Sequence, residues 1–161
     1  MTFPMDGYEL GEHDGDAWWF LDSRMTVKVS SAESRGAYTL IEFSADHGFG
    51  SPRHVHDDED EAFFVLEGEM RVACGPKEWR ASTGSLAFLP RGIEHAVLVT
   101  SDTPVRALQI TNPAGFEDFL GELGRRPDTP GLPTPQPHDF ARMSEVSQRY
   151  GKIVVGPPMT L

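Results

Sequence analysis

His54 and His56 stand one residue apart, and on an extended chain that spacing turns both imidazoles to the same face, where they can grip one ion together. Glu61 comes five residues after His56, beyond the acidic run Asp57, Asp58, Glu59 and Asp60. A reversal of the chain there can bring its carboxylate to the same ion from a neighbouring strand. His95 opens the apolar run Ala96 to Val99, just after the turn-forming Pro90, Arg91 and Gly92, and can approach from another strand. Three imidazoles and one carboxylate suit Fe, Mn, Ni, Co, Cu or Zn as a single divalent ion, and do not suit calcium. In a six-coordinate ion this donor set leaves positions free for a substrate and a small molecule such as O2, as a catalytic site requires. Asp57, Asp58, Glu59 and Asp60 read as a solvated turn, and His13, His47 and His138 as surface or structural residues.

Such donors need strands to hold them, and the first two thirds of the chain supplies candidates. Short runs rich in Val, Ile, Phe, Tyr and Thr recur between Gly, Pro, Asp and Ser, at 25–29, 37–43, 54–56, 62–66, 70–74, 85–89, 95–99 and 105–111. Closely spaced strands without helical patterns between them predict an antiparallel sandwich or barrel. Gly68 lies between two apolar runs and can take the positive φ of a hairpin turn, and Pro90 fixes the turn before His95.

The last third changes character. Asn112 suits an N-cap and Pro113 a first helical position, and Phe116, Phe119, Leu120 and Leu123 then share one helical face that Gly124 can end. Pro127, Pro130, Pro133, Pro135 and Pro137 make the next stretch an extended connector over the surface. A second helix is expected from about Asp139 to Tyr150, and an edge strand over 152–155. The expected organisation is one domain over 1–161, comprising an N-terminal segment (1–24), a barrel (25–111) and helices with the connector (112–161). Trp18, Trp19 and Phe20 are expected to pack on the barrel or at a dimer contact.

The chain of 161 residues has 14 Lys and Arg against 25 Asp and Glu, a net charge of −11 that repels nucleic-acid backbones and anionic lipids. No stretch approaches the roughly 20 apolar residues of a membrane span, and 1–15 lacks the basic and apolar regions of a secretory signal. Cys74 is the one cysteine and sits in an apolar run, as a buried, inert thiol would. A cytoplasmic protein without nucleic-acid or membrane partners is expected.

The spacing of the metal candidates resembles the cupin superfamily. Gly48, His54, His56, Glu61 and Gly68 fit every fixed position of that family's first motif, and Gly84, Pro90, Gly92 and His95 fit the second, whose final asparagine is replaced by Val99. The Trp18-Trp19-Phe20-Leu21 segment, the stretch from Asn112 to Glu117, the proline connector and the closing Arg149-Tyr150-Gly151 and Gly156-Pro157-Pro158 look like the quercetin dioxygenase-like cupins. The resemblance implies a double-stranded β-helix, or jelly-roll barrel, with the C-terminal helices outside, His54, His56, Glu61 and His95 as metal ligands, and a homodimer. It implies a dioxygenase acting on a small hydroxylated aromatic, flavonol-like or polyketide-like. A substrate hydroxyl would give up its proton, Glu61 being the catalytic acceptor, while the ion serves as Lewis acid and template. Phe63 and Val65 lie on the strand face of Glu61, and with Val97 and Val99 would form the pocket's apolar walls. A metal-dependent isomerase or cyclase, or a small-molecule binder without catalysis, is the alternative.

Overall fold

Alternation of buried and outward side chains builds the sheets. In β3 (Thr39–Ala45), Thr39, Ile41, Phe43 and Ala45 are buried while Leu40, Glu42 and Ser44 turn outward. The same period runs through β5 (Asp60–Glu67), which buries Glu61, Phe63 and Val65, and β10 (Val105–Asn112), which buries Val105, Ala107, Gln109 and Thr111. The computed structural model describes residues 6–161, so the first five positions of the expected N-terminal segment lie outside the described residues.

Two antiparallel sheets face each other. One joins β1 (Asp16–Phe20), β2 (Ser23–Val29), β3, β10, β5 and β8 (Leu86–Leu89) in the order β1-β2-β3-β10-β5-β8. The other joins β11 (Lys152–Pro158), β4 (Pro52–His56), β9 (His95–Val99), β6 (Glu69–Cys74) and β7 (Lys77–Ser82) in the order β11-β4-β9-β6-β7. The jumps in strand order are those of a jelly roll, and the all-β class expected from the sequence holds. Phe43, between Phe49 and Phe63 at ring separations of 5.6 and 5.7 Å, belongs to the core between the sheets. Each such buried side chain contributes about 1.5–3 kcal/mol.

Three boundaries differ from expectation. The first sheet begins at residue 16, because Ala17, Trp18, Trp19 and Phe20 pair with β2 although their run shows no polar alternation. β7, with Lys77, Glu78 and Arg80, is a polar edge strand whose composition hid it. Asn112 ends β10 and the helix starts later: Gly115, at φ 133°, caps α2 (Phe116–Leu123). The second expected helix follows the pattern as α3 (Phe140–Arg149), capped by the Asp139 side chain. A four-residue α1 (Ser31–Ser34), which the sequence reading did not include, stands ahead of β3.

α2 buries Phe116, Phe119 and Leu120 against the barrel, and α3 buries Met143 and Val146. The proline connector crosses the surface, tied by Trp19 Nε1–H to the Gly131 carbonyl at 2.9 Å and by Arg24 to the Thr129 carbonyl at 3.2 Å. The tail after β11 covers the back of the second sheet so closely that a Cβ on Gly50 would stand 2.0 Å from the Met159 carbonyl oxygen. Among the described residues no helix is long and apolar enough to cross a membrane.

Candidate metal centre

β4 and β9 run side by side with His54 opposite His95, and β11 sets Lys152 opposite His56. β5 faces them from the other sheet and directs Glu61 inward. The three imidazoles converge, with ring centroids 4.9 Å apart for His54 and His56, 4.4 Å for His54 and His95, and 4.9 Å for His56 and His95. One donor atom from each of His54, His56, Glu61 and His95 lies within 4.8 Å of the others. Atoms about 2.1 Å from a shared ion stand at most about 4.2 Å apart, so a contraction of a few tenths of an ångström closes this set on a metal.

The second nitrogens fix how the rings point. His54 Nδ1 meets the Pro52 carbonyl at 2.7 Å and His95 Nδ1 the Ile93 carbonyl at 2.9 Å, each two residues back along its own chain. Nδ1–H donation to a carbonyl leaves Nε2 as a lone-pair donor. His56 Nε2 and His95 Nε2 are buried and have no hydrogen-bond partner, although His95 Nε2 stands 3.2 Å from Glu61 Oε2. Such orphaned donors are costly in a dry interior, and a shared cation would satisfy them together. The residues present therefore fit a divalent metal.

Burial, with His95 and His56 beside it, drives the His54 pKa down to about 3, which keeps its ring neutral. Burial works against the charge on Glu61 as well, but His95, 3.2 Å away, and the other two imidazoles beside it outweigh burial and hold the carboxyl at about 2. The partner effect appears on His95, where burial is outweighed by Glu61 and the proton is held more tightly than usual. Neutral imidazole and ionised carboxylate are the forms that bind metals, and the attraction that raises His95's hold on a proton serves a cation equally.

The donors open into a largely apolar cavity of about 80 Å³, small beside the roughly 300–1,000 Å³ of drug-sized ligand pockets. Phe63 and Val97 line it. Val65 and Val99 do not: both are wholly buried in the hydrophobic core, deeper along their strands than the site. Phe20, Phe116, Phe119 and Met143 complete the walls, so the N-terminal strand and both larger helices help enclose the site. Trp18 and Trp19 pack outside it, under Arg126 and Arg125 at 3.6 and 4.4 Å.

Three polar residues at the site escaped the sequence reading. Gln109 lies on the cavity wall and donates from Nε2 to Glu61 Oε1 at 2.6 Å, which leaves its Oε1 buried and unpartnered. Its signal was a glutamine at an inward position of β10. Glu59, read from the sequence as part of a solvated turn, is instead only 6% exposed, with Oε1 3.0 Å from His56 Nδ1. Lys152 reaches that same oxygen at 2.8 Å. A lysine pairing in register with His56 from the far end of the chain left no local trace in the sequence.

Residues 42–111 match the Cupin domain family model. Quercetin 2,3-dioxygenase of Bacillus subtilis (strain 168) is 24% identical over 94 residues, 58% of this chain, which spans 28% of that longer protein. The polyketide cyclase RemF from Streptomyces resistomycificus superposes with a TM-score of 0.58 at 18% identity, covering 66% of this chain and 80% of that one. KdgF from Halomonas sp. superposes with a TM-score of 0.55 at 16% identity, covering 63% and 91%. At these identities the likeness of the structures is one of fold. Motif spacing, strand order and the match over 42–111 agree: the chain has a cupin fold, with a cupin domain over 42–111.

Proposed function

We propose that this cupin is a metal-dependent dioxygenase acting on a small hydroxylated aromatic, flavonol-like or polyketide-like. The observation that carries the reading is the set His54, His56, Glu61 and His95, gathered on the wall of an apolar cavity with the last three buried. A bound divalent metal supplies a Lewis acid and a template on which the substrate's oxygen and O2 can meet. Glu61, ionised in the free protein, accepts the proton of the substrate's phenolic or enolic hydroxyl. Gln109 orients Glu61, and its own Oε1 is free to accept a hydrogen bond from a second hydroxyl. Phe63, Phe116 and Val97 exclude water and flank a flat ring.

The test is oxygen consumption by metal-loaded protein on a panel of flavonols and smaller polyphenols. Uptake that disappears in Glu61→Gln supports the reading. Product formed without uptake points to metal-dependent isomerisation or cyclisation, and ligand bound but recovered unchanged points to a binder.

The expected homodimer is supported by the outer face of the first sheet. There Leu40, Ile110, Ala62 and Phe88 stand in register, as do Leu108, Phe64 and Leu86, with Leu86 62% and Phe88 56% exposed. A monomeric mass in light scattering would contradict it. The cytoplasmic location is supported by a lone, buried cysteine with no disulfide partner.

A further inference from the structure

His56 differs from the other two imidazoles in what its second nitrogen meets. His54 and His95 each turn Nδ1 to a backbone carbonyl of their own strand. His56 Nδ1 instead stands 3.0 Å from a carboxylate oxygen, Glu59 Oε1, within ion-pair distance though not aligned as a hydrogen bond, and both residues are almost wholly inside the protein. A carboxylate there would be expensive alone, and Lys152 Nζ stands 2.8 Å from the same oxygen. Lys152 is itself 5% exposed, and its ammonium sits over the rings of Phe116 and Phe119 at 5.1 and 5.4 Å. Three titratable side chains are thus linked in a row, from the interface of α2 and β11 through Glu59 to the imidazole at the centre of the site.

The row is set up by the fold. β11 pairs with β4 so that Lys152 falls opposite His56, and the Asp57 amide is held to the Gly151 carbonyl at 2.8 Å. Glu59 follows at i+3 from His56 and folds back under it.

We propose that Glu59, held in place by Lys152, is a positioning residue for the metal centre, orienting His56 so that Nε2 faces the ion and strengthening it as a donor. A metal-binding histidine whose other N–H is given to a carboxylate is more basic toward the metal than one given to a carbonyl, and loss of such a partner typically costs about 10–100-fold in metal affinity. His56 is then the strongest of the three nitrogen donors. The C-terminal strand belongs functionally to the site although it contributes no ligand. The inference rests on the metal-binding reading above.

The test compares affinity for Zn(II), by competition with a chromophoric chelator, and thermal stability of the metal-free chain. The proteins are wild type, Glu59→Gln, Lys152→Met and the double variant Glu59→Gln/Lys152→Met. Glu59→Gln is expected to bind Zn(II) about 10–100-fold more weakly than wild type. Both single variants strand one buried charged or polar partner and should melt earlier, whereas the double variant, with neither charge, should recover stability without recovering affinity. Co(II)-loaded Glu59→Gln should also show shifted d–d absorption bands. Affinity of Glu59→Gln within threefold of wild type, or affinity that returns together with stability in the double variant, would overturn the proposal. Absence of Zn(II) binding by the wild type itself would instead overturn the metal-centre reading on which it stands.

Discussion

Gln109 gives its side-chain N–H to Glu61 Oε1 at 2.6 Å from the adjacent strand, inside the barrel, while His95 stands 3.2 Å from the other carboxylate oxygen. Each oxygen of Glu61 thus has its own neighbour, and the plane of the carboxylate is set before any ion or substrate arrives. A hydrogen bond to a charged group is worth about 1.5–3 kcal/mol. Gln109→Leu should therefore lower turnover roughly 10- to 100-fold while leaving Zn(II) bound. Steady-state oxygen uptake alongside chelator competition checks both halves, and unchanged turnover would remove Gln109 from the site.

Val99 occupies the position where the family's second motif ends in asparagine, and it is wholly buried opposite Met70. An amide there would meet apolar neighbours and no hydrogen-bond partner. Val99→Asn is expected to cost about 1–3 kcal/mol in urea unfolding, without changing KM, since the position does not reach the cavity. A lowered KM with intact stability would show that the motif's asparagine can act here.

Glu117 ties α2 to the start of α1 and to β3, accepting from the Ser31 backbone N–H at 2.6 Å and from the Thr39 hydroxyl. Burial opposes its ionisation, but these hydrogen bonds outweigh burial and hold its carboxyl below the ordinary carboxylate range. With the folded pKa below the unfolded value, near about 4.3 for a glutamate, the stabilisation is complete above that value and is lost as pH falls through the folded pKa. The group is only partly buried, so about 1 kcal/mol is at stake. Urea midpoints between pH 6 and pH 3 should fall more steeply for wild type than for Glu117→Gln. Parallel curves would remove Glu117 as the cause.

The four metal-binding candidates were legible because their geometry is local: a one-residue separation on a strand, a turn, and a histidine heading an apolar run. Gly68 was legible for the same reason, and takes φ 81° at the turn between β5 and β6. What the sequence hid depends on distant partners. Nothing in Asp57-Asp58-Glu59-Asp60 distinguishes the acid that is buried, because Lys152 and the rings of Phe116 and Phe119 decide it. Val65 and Val99 share a strand face with a ligand, yet the alternation that turns them inward says nothing about depth along the barrel. β1 went unread because Trp18, Trp19 and Phe20 lack a polar side. Asn112 and Pro113 carry helix-start chemistry, but Asn112 is still the last residue of β10 and α2 begins only at Phe116.

The convergence of His54, His56, Glu61 and His95 on one ion is tested most directly by titrating the metal-free protein with Zn(II), and separately with Fe(II), Mn(II), Ni(II), Co(II) and Cu(II). His54→Ala and Glu61→Gln are carried through in parallel. One equivalent per chain is expected for the wild type, a loss of at least about 100-fold in affinity for His54→Ala, and weakened but measurable binding for Glu61→Gln. A wild-type chain that takes up none of these ions, or a His54→Ala variant that binds as well as wild type, would contradict the metal centre.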